Sequence, residues 1–147
     1  MSISSFLMNE HRSCDHLLVE VENAATEERW DDARAALGQF RAALDAHLSM
    51  EESVLFPTLE EAAGGPFGPT VVMRAEHGQM RQLLTAAEGH LAIAARRELL
   101  GAVDTLMTLI AQHNMKEERI LYPMADRSVA DGPALIARME SVRPTAA

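Results

Sequence analysis

His47-Leu48-Ser49-Met50-Glu51-Glu52-Ser53-Val54-Leu55-Phe56-Pro57 returns 66 positions later as His113-Asn114-Met115-Lys116-Glu117-Glu118-Arg119-Ile120-Leu121-Tyr122-Pro123. In both stretches a histidine precedes a glutamate by four, which sets the pair one turn apart on one face of a helix. The same shift lays His11 over His77, so each half reads a lone His, a step of 36 residues, then His-x-x-x-Glu. It also superimposes Glu10 on Glu76, Leu17-Leu18 on Leu83-Leu84, Glu22 on Glu88 and Glu52 on Glu118. A repeated core accounts for the leucines. It does not account for histidine and glutamate at interior positions, where uncompensated polar groups cost stability.

Working outward, the chain reads as helix throughout, because alanine and leucine are abundant and alternating Val/Ile/Thr runs are missing. A first helix is expected from about Ser4 to Thr26, with Ser4 or Ser5 as N-cap. A second, capped by Asp31 or Asp32, carries Leu37, Phe40, Leu44, His47, Glu51 and Leu55 at helical spacing. Gly64-Gly65-Pro66-Phe67-Gly68-Pro69 breaks the pattern. A third helix follows from about Thr70 to Glu88, the signal weakens over residues 89–95, and a fourth runs from near Arg96 to near Asp126. Asp131-Gly132-Pro133 starts a short C-terminal helix.

Short connections force antiparallel neighbours, so the expected fold is all-α: an up-down-up-down four-helix bundle in one domain over residues 1–147, its core at about residues 4–127. From His11 to the end of its helix is roughly 15 residues, about 23 Å, and the start of the next helix to His47 is about as long. The two histidines come level. His77 and His113 behave alike, and all six repeated polar residues fall in one layer.

Four neutral imidazoles and two carboxylates suit a pair of first-row metals, with each carboxylate able to bridge and each metal keeping room for an exogenous ligand. No thiolate belongs to the set, and the His-Glu-x-x-His spacing of zinc proteases is absent. Iron is the expected metal, held by His11, His47, Glu51, His77, His113 and Glu117.

The full-length pattern H…HxxxE…H…HxxxE, with Glu10-His11-Arg12, Cys14-Asp15 and the two Glu-Glu-x-x-Leu-Phe/Tyr-Pro strings, resembles the hemerythrin-like family, the HHE domains, over about residues 8–127. The resemblance implies an antiparallel bundle around a non-heme di-iron centre, oxo- or hydroxo-bridged. In it Glu51 and Glu117 are the bridges and the four histidines the terminal ligands. Oxygen carriers of that family have a further histidine where this chain has Met73, and a His-x-x-x-x-Asp spacing where it has His113-x-x-x-Glu117. These departures count against plain oxygen transport. The function implied is binding of dioxygen, nitric oxide or peroxide at an open iron position, in sensing or stress response. The alternatives are a redox enzyme removing peroxide or nitric oxide, and iron storage or delivery for iron-sulfur repair. An external electron donor is expected for turnover, since no flavin, nicotinamide or phosphate-loop fingerprint occurs.

The remaining composition narrows the class. At 147 residues and 48% hydrophobic the chain can bury a full core. A net charge of −9, without a Lys/Arg cluster, repels phosphate backbones, so nucleic acid is not an expected partner. No apolar run is long enough for a membrane span or a secretory signal core. With a single cysteine, a cytoplasmic protein is expected.

Several residues invite over-reading. His16 competes with His11, but its repeat partner is Gln82, and five positions along a helix turn it by about 140°. His90 suits a helix C-terminus. Cys14 reads as a small buried hydrophobe, and Met50, Met73, Met80, Met107 and Met115 read as core filling. Tyr122 is placed to reach the ligand surroundings or donate a hydrogen bond to a bound oxygen species, though its repeat partner Phe56 suggests mainly packing. Glu52 and Glu118, rotated about 100° from the expected bridges, read as solvated or salt-bridged.

Overall fold

Ser2, in extended conformation, caps the first helix, its hydroxyl accepting the Ser5 amide at 3.0 Å. The sequence pointed to Ser4 or Ser5 instead. Ser4 is occupied elsewhere: Asp126 accepts the Ile3 and Ser4 amides at 3.0 and 3.4 Å and the Ser4 hydroxyl at 2.5 Å, tying the helix start to a distant element. The computed structural model describes residues 1–143. Among these it contains five helices and no strand.

Helix α1 is Ile3–Thr26. Helix α2 (residues 30–63) joins α-helical Trp30–Met50, a π-helical turn Glu51–Leu55 and α-helical Phe56–Ala63. Helix α3 is Gly68–Ala92. Helix α4 (residues 96–128) repeats the composite form as Arg96–Lys116, a π turn Glu117–Leu121, and Tyr122–Ser128. Helix α5 is Gly132–Ser141, capped by the Asp131 carboxylate on the Ala134 amide. Asp31 and Asp32 are not caps but lie in the first turn of α2, where negative charge suits the helix dipole. Helix α3 runs past the expected weak stretch at residue 89 because Ala87 and Leu91 are buried in the core.

The two π turns correct the expectation of unbroken helices, and proline explains them. Pro57 and Pro123 have no amide to give and would clash with the carbonyl four residues back, which is Ser53 or Arg119. Both carbonyls lie inside the widened turns. The Phe56 and Tyr122 amides bond the Glu51 and Glu117 carbonyls, five residues back.

The repeat extends to the connections. Arg29 and Glu28 amides return to the Ala24 and Ala25 carbonyls, and Ala95 and Ala94 amides return to His90 and Leu91 in the same way. Both turns need a left-handed residue, filled by Glu28 (φ 56°) and Ala94 (φ 51°). Helix α1 packs along α2 and α3 along α4, α1 also meets α4 and α2 meets α3, and α5 lies against α1 and the π turn of α2. Arg41 clamps α2 to α3 through two bonds to Glu88, at 2.6 and 2.7 Å.

The interior divides into two apolar clusters. One gathers Leu18, Phe40, Leu44, Met80, Leu84, Val103, Leu106 and Ile110. The other gathers Leu7, Met50, Leu55, Phe56, Met73, Leu121 and Tyr122 and is closed by Leu135, Ile136 and Met139 of α5. The histidine layer separates them. No helix among the described residues is long and apolar enough to cross a membrane. Because left-handed backbone penalises a Cβ, Ala94→Gly is expected to raise stability by about 1 kcal/mol in denaturant unfolding, whereas loss of stability would place the connection differently.

Candidate metal centre

One histidine projects inward from each long helix, and the two π turns add one carboxylate each. All six residues the sequence singled out meet there: His11, His47, His77 and His113 are at most 4% exposed, and Glu51 and Glu117 are fully buried. They form two overlapping groups, His11 with His47 and His77 with His113, and both groups contain Glu51 and Glu117. Within each, one ligand atom per residue lies within 4.8 Å of the others. Each carboxylate stands between the halves. Glu51 Oε1 is 3.5 Å from His47 Nε2 and 3.1 Å from His77 Nε2, and Glu117 Oε1 is 3.2 Å from His11 Nε2 and 3.1 Å from His113 Nε2.

The outer nitrogens of three histidines are held by carboxylates. His11 Nδ1 donates to Glu118 at 2.7 Å, His77 Nδ1 to Glu52 at 2.8 Å and His113 Nδ1 to Glu76 at 2.9 Å. A carboxylate on Nδ1 fixes the ring and leaves Nε2 as a basic lone pair aimed inward, the usual support of a metal-binding histidine. Glu52 is anchored by two bonds from Arg81, both 2.8 Å, and Glu76 by Lys116 at 2.5 Å. The reading of Glu52 and Glu118 as salt-bridged holds, but it did not name the central histidines as their partners. Both are salt-bridged, Glu118 to His11 and Glu52 to His77 and Arg81.

Tyr122 combines the two roles open to it in the sequence, packing and hydrogen bonding. Its ring stacks on His11 as Phe56 stacks on His77, with centroids 5.5 and 5.4 Å apart, so the packing role is real. Its hydroxyl, however, enters the centre. It donates to Glu51 Oε2 at 2.5 Å and lies 3.0 Å from both Glu117 Oε1 and His11 Nε2. The repeat says nothing of this, because Phe56 has no hydroxyl to match.

His16 points outward to Glu20, 75% exposed, and takes no part. Cys14 is buried and borders a small gap beside His11, His47 and His113. Burial, then the nearby acids, push its thiol up to about 12, so it is no thiolate ligand. Met73 is buried one turn before His77 and lines a shallow groove with Val72, Ile120 and Leu121.

The donor set fits cations. His47, His77 and His113 Nε2, Glu51 Oε1 and Glu117 Oε2 are buried without a hydrogen-bond partner, an arrangement that costs stability unless something positive occupies their midst. Protons respond to the same demand. Burial depresses His11 and His77, but the Glu117 and Glu51 bonds and charges outweigh it and lift both to about 9. His47, where burial dominates, falls to about 4. Burial and the Glu117 charge raise Glu51. Glu117 is buried as deeply but is lowered by hydrogen bonds from Glu51, His11 and His113. A metal entering at neutral pH must displace the His11 and His77 protons. Metal uptake at pH 7.5 is therefore expected to release protons, and apparent affinity to climb with pH until about 9. Calorimetry in buffers of different ionisation heat checks the sign, and uptake without proton release contradicts it.

Residues 2–141 match the family described as the hemerythrin HHE cation binding domain. The iron-sulfur cluster repair protein YtfE of Edwardsiella ictaluri (strain 93-146) is 31% identical over 100 residues, covering 60% of this chain. The match spans 44% of that relative's length, less than half of it. No solved structure gives a significant match. With nearly the whole chain matched and a buried His/Glu cluster in place, the protein belongs to the hemerythrin HHE cation-binding domain family.

Proposed function

We propose that the six residues hold two iron ions, His11 and His47 serving one, His77 and His113 the other, with Glu51 and Glu117 shared, and that the centre binds a small oxidant. The observation that carries this is the sharing itself: each carboxylate belongs to both buried groups and joins a histidine of one half to a histidine of the other. Two neighbouring ferrous ions supply two electrons and a position open to dioxygen, nitric oxide or peroxide. The chain's own residues do the rest. They orient four imidazoles, hold the carboxylates between the ion positions, exclude bulk water with two apolar clusters, and present the Tyr122 O–H as a proton donor at Glu51 Oε2.

The setting in this reading is a single cytoplasmic domain, an antiparallel up-down-up-down four-helix bundle, working in sensing or stress response with an external electron donor. Iron delivery for iron-sulfur repair is the second reading, favoured by the likeness to a protein named for that repair. Turnover of peroxide or nitric oxide is the third.

Stopped-flow spectra of the anaerobically iron-loaded protein, mixed separately with dioxygen, nitric oxide and peroxide, distinguish these. Stoichiometric, reversible change supports binding, and many equivalents consumed per site support an enzyme. Iron passing to an apo-acceptor supports delivery. Unchanged spectra with all three oxidants contradict the leading reading. Glu51→Ala is expected to lower bound iron from two per chain to one or none, while His16→Ala keeps both, and equal iron in the two variants counts against the assignment.

A further inference from the structure

The repeat makes a definite forecast for every contact of the centre, and one departure from it concerns the support of a histidine directly. His113 Nδ1 is held by Glu76, the residue preceding His77 on the neighbouring helix. Shifted by 66, the forecast is that Glu10, the residue preceding His11, holds His47 Nδ1. Helices α1 and α2 pack as closely as α3 and α4, so the two elements are there to do it. Yet among the described residues His47 Nδ1, buried, has no hydrogen-bond partner, and neither has its Nε2. Glu10 instead pairs with Arg143, just past the end of α5. The anchors explain the difference. Glu76 is steadied by Lys116 of α4, whereas the repeat partner of Lys116 is Met50, buried and apolar. Glu10 finds its cation outside the repeat.

A second, independent asymmetry falls on the same half. The Tyr122 hydroxyl lies on His11 Nε2, so an ion entering between His11 and His47 competes with that contact, whereas its bonds to the shared carboxylates weigh on both positions alike. Phe56 sets no such competitor beside His77.

We propose that the two ion positions are unequal, that the one at His11 and His47 is the labile position, and that Arg143 maintains the inequality by holding Glu10 away from His47. This rests on the two-ion reading above. Arg143 is a positioning residue: it touches no ligand atom and acts by occupying the carboxylate that would orient His47. Carboxylates on metal-bound histidines typically change affinity by about 10- to 100-fold, so a gap of at least about tenfold between the two positions is expected. The tight position fills first and keeps its ion when the labile one has emptied, which gives the protein a form able to part with one ion without collapse of the centre.

Titration of the full chain with zinc(II) against a competing chelator, followed by histidine side-chain nitrogen resonances, tests it. The first equivalent is expected to shift His77 and His113, the second His11 and His47, with affinities at least about tenfold apart. Arg143→Ala is expected to tighten the second step about tenfold and leave the first unchanged, and Glu10→Ala combined with it to cancel the gain. As a control on folding, Glu76→Gln should loosen the first step alone. Two steps of equal affinity, a first equivalent at His11 and His47, or a second step unmoved or weakened by Arg143→Ala overturns the proposal while leaving two ions intact. Binding of fewer than two zinc ions instead overturns the two-ion reading.

Discussion

Two carboxylates buried side by side set the terms for everything around them. Glu51 and Glu117 have no exposure to water, and neither charge can persist there without a compensating positive charge or a set of donors. The four imidazoles surround them and the Tyr122 hydroxyl bonds both. A layer so costly to bury must be stabilised from above and below. The two apolar clusters do that, one formed by the parts of the long helices nearest the connections at residues 27–29 and 93–95, the other closed by α5. The fold is thus a holder for charge, with lipid-like walls on both sides of a polar layer.

Symmetry supplies the layer cheaply, since one helix-pair solution used twice gives two histidines, one bridging-capable carboxylate and one matching connection per copy. The details carry the function. Proline six residues after each central glutamate opens the following turn into a π turn, a feature often found at functional sites. The departures from symmetry include Tyr122 against Phe56, Lys116 against Met50, Arg81 against Asp15, and Glu10 drawn to Arg143 while Glu76 stays on His113. Each sets the His11 and His47 side apart from the other.

The six central residues, the helical class and the four long helical segments were legible in the sequence because each rests on spacing, and helical spacing maps directly onto a face. What was not legible rests on departures from ideal helix or ideal repeat. Spacing along one helix gave Glu52 a salt bridge but not its partners: a π turn follows the histidine pair, and Glu52 reaches His77 and Arg81 on the neighbouring helix. Pro57 and Pro123 were the available signal for those turns. For Tyr122 the match to Phe56 gave packing the greater weight, because a repeat argument says nothing of the one atom the two residues do not share. The caps at Ser4 and Asp31 failed because Asp126 takes the first and left-handed Glu28 turns the chain before the second.

The central claim is that one pair of buried carboxylates joins two ions. X-ray absorption on the anaerobically iron-loaded protein measures this directly. The account predicts two irons per chain with an iron-iron separation within about 4 Å, as in other two-metal sites. A fully loaded protein whose spectrum requires no iron-iron vector, or one that saturates at a single iron, would contradict it.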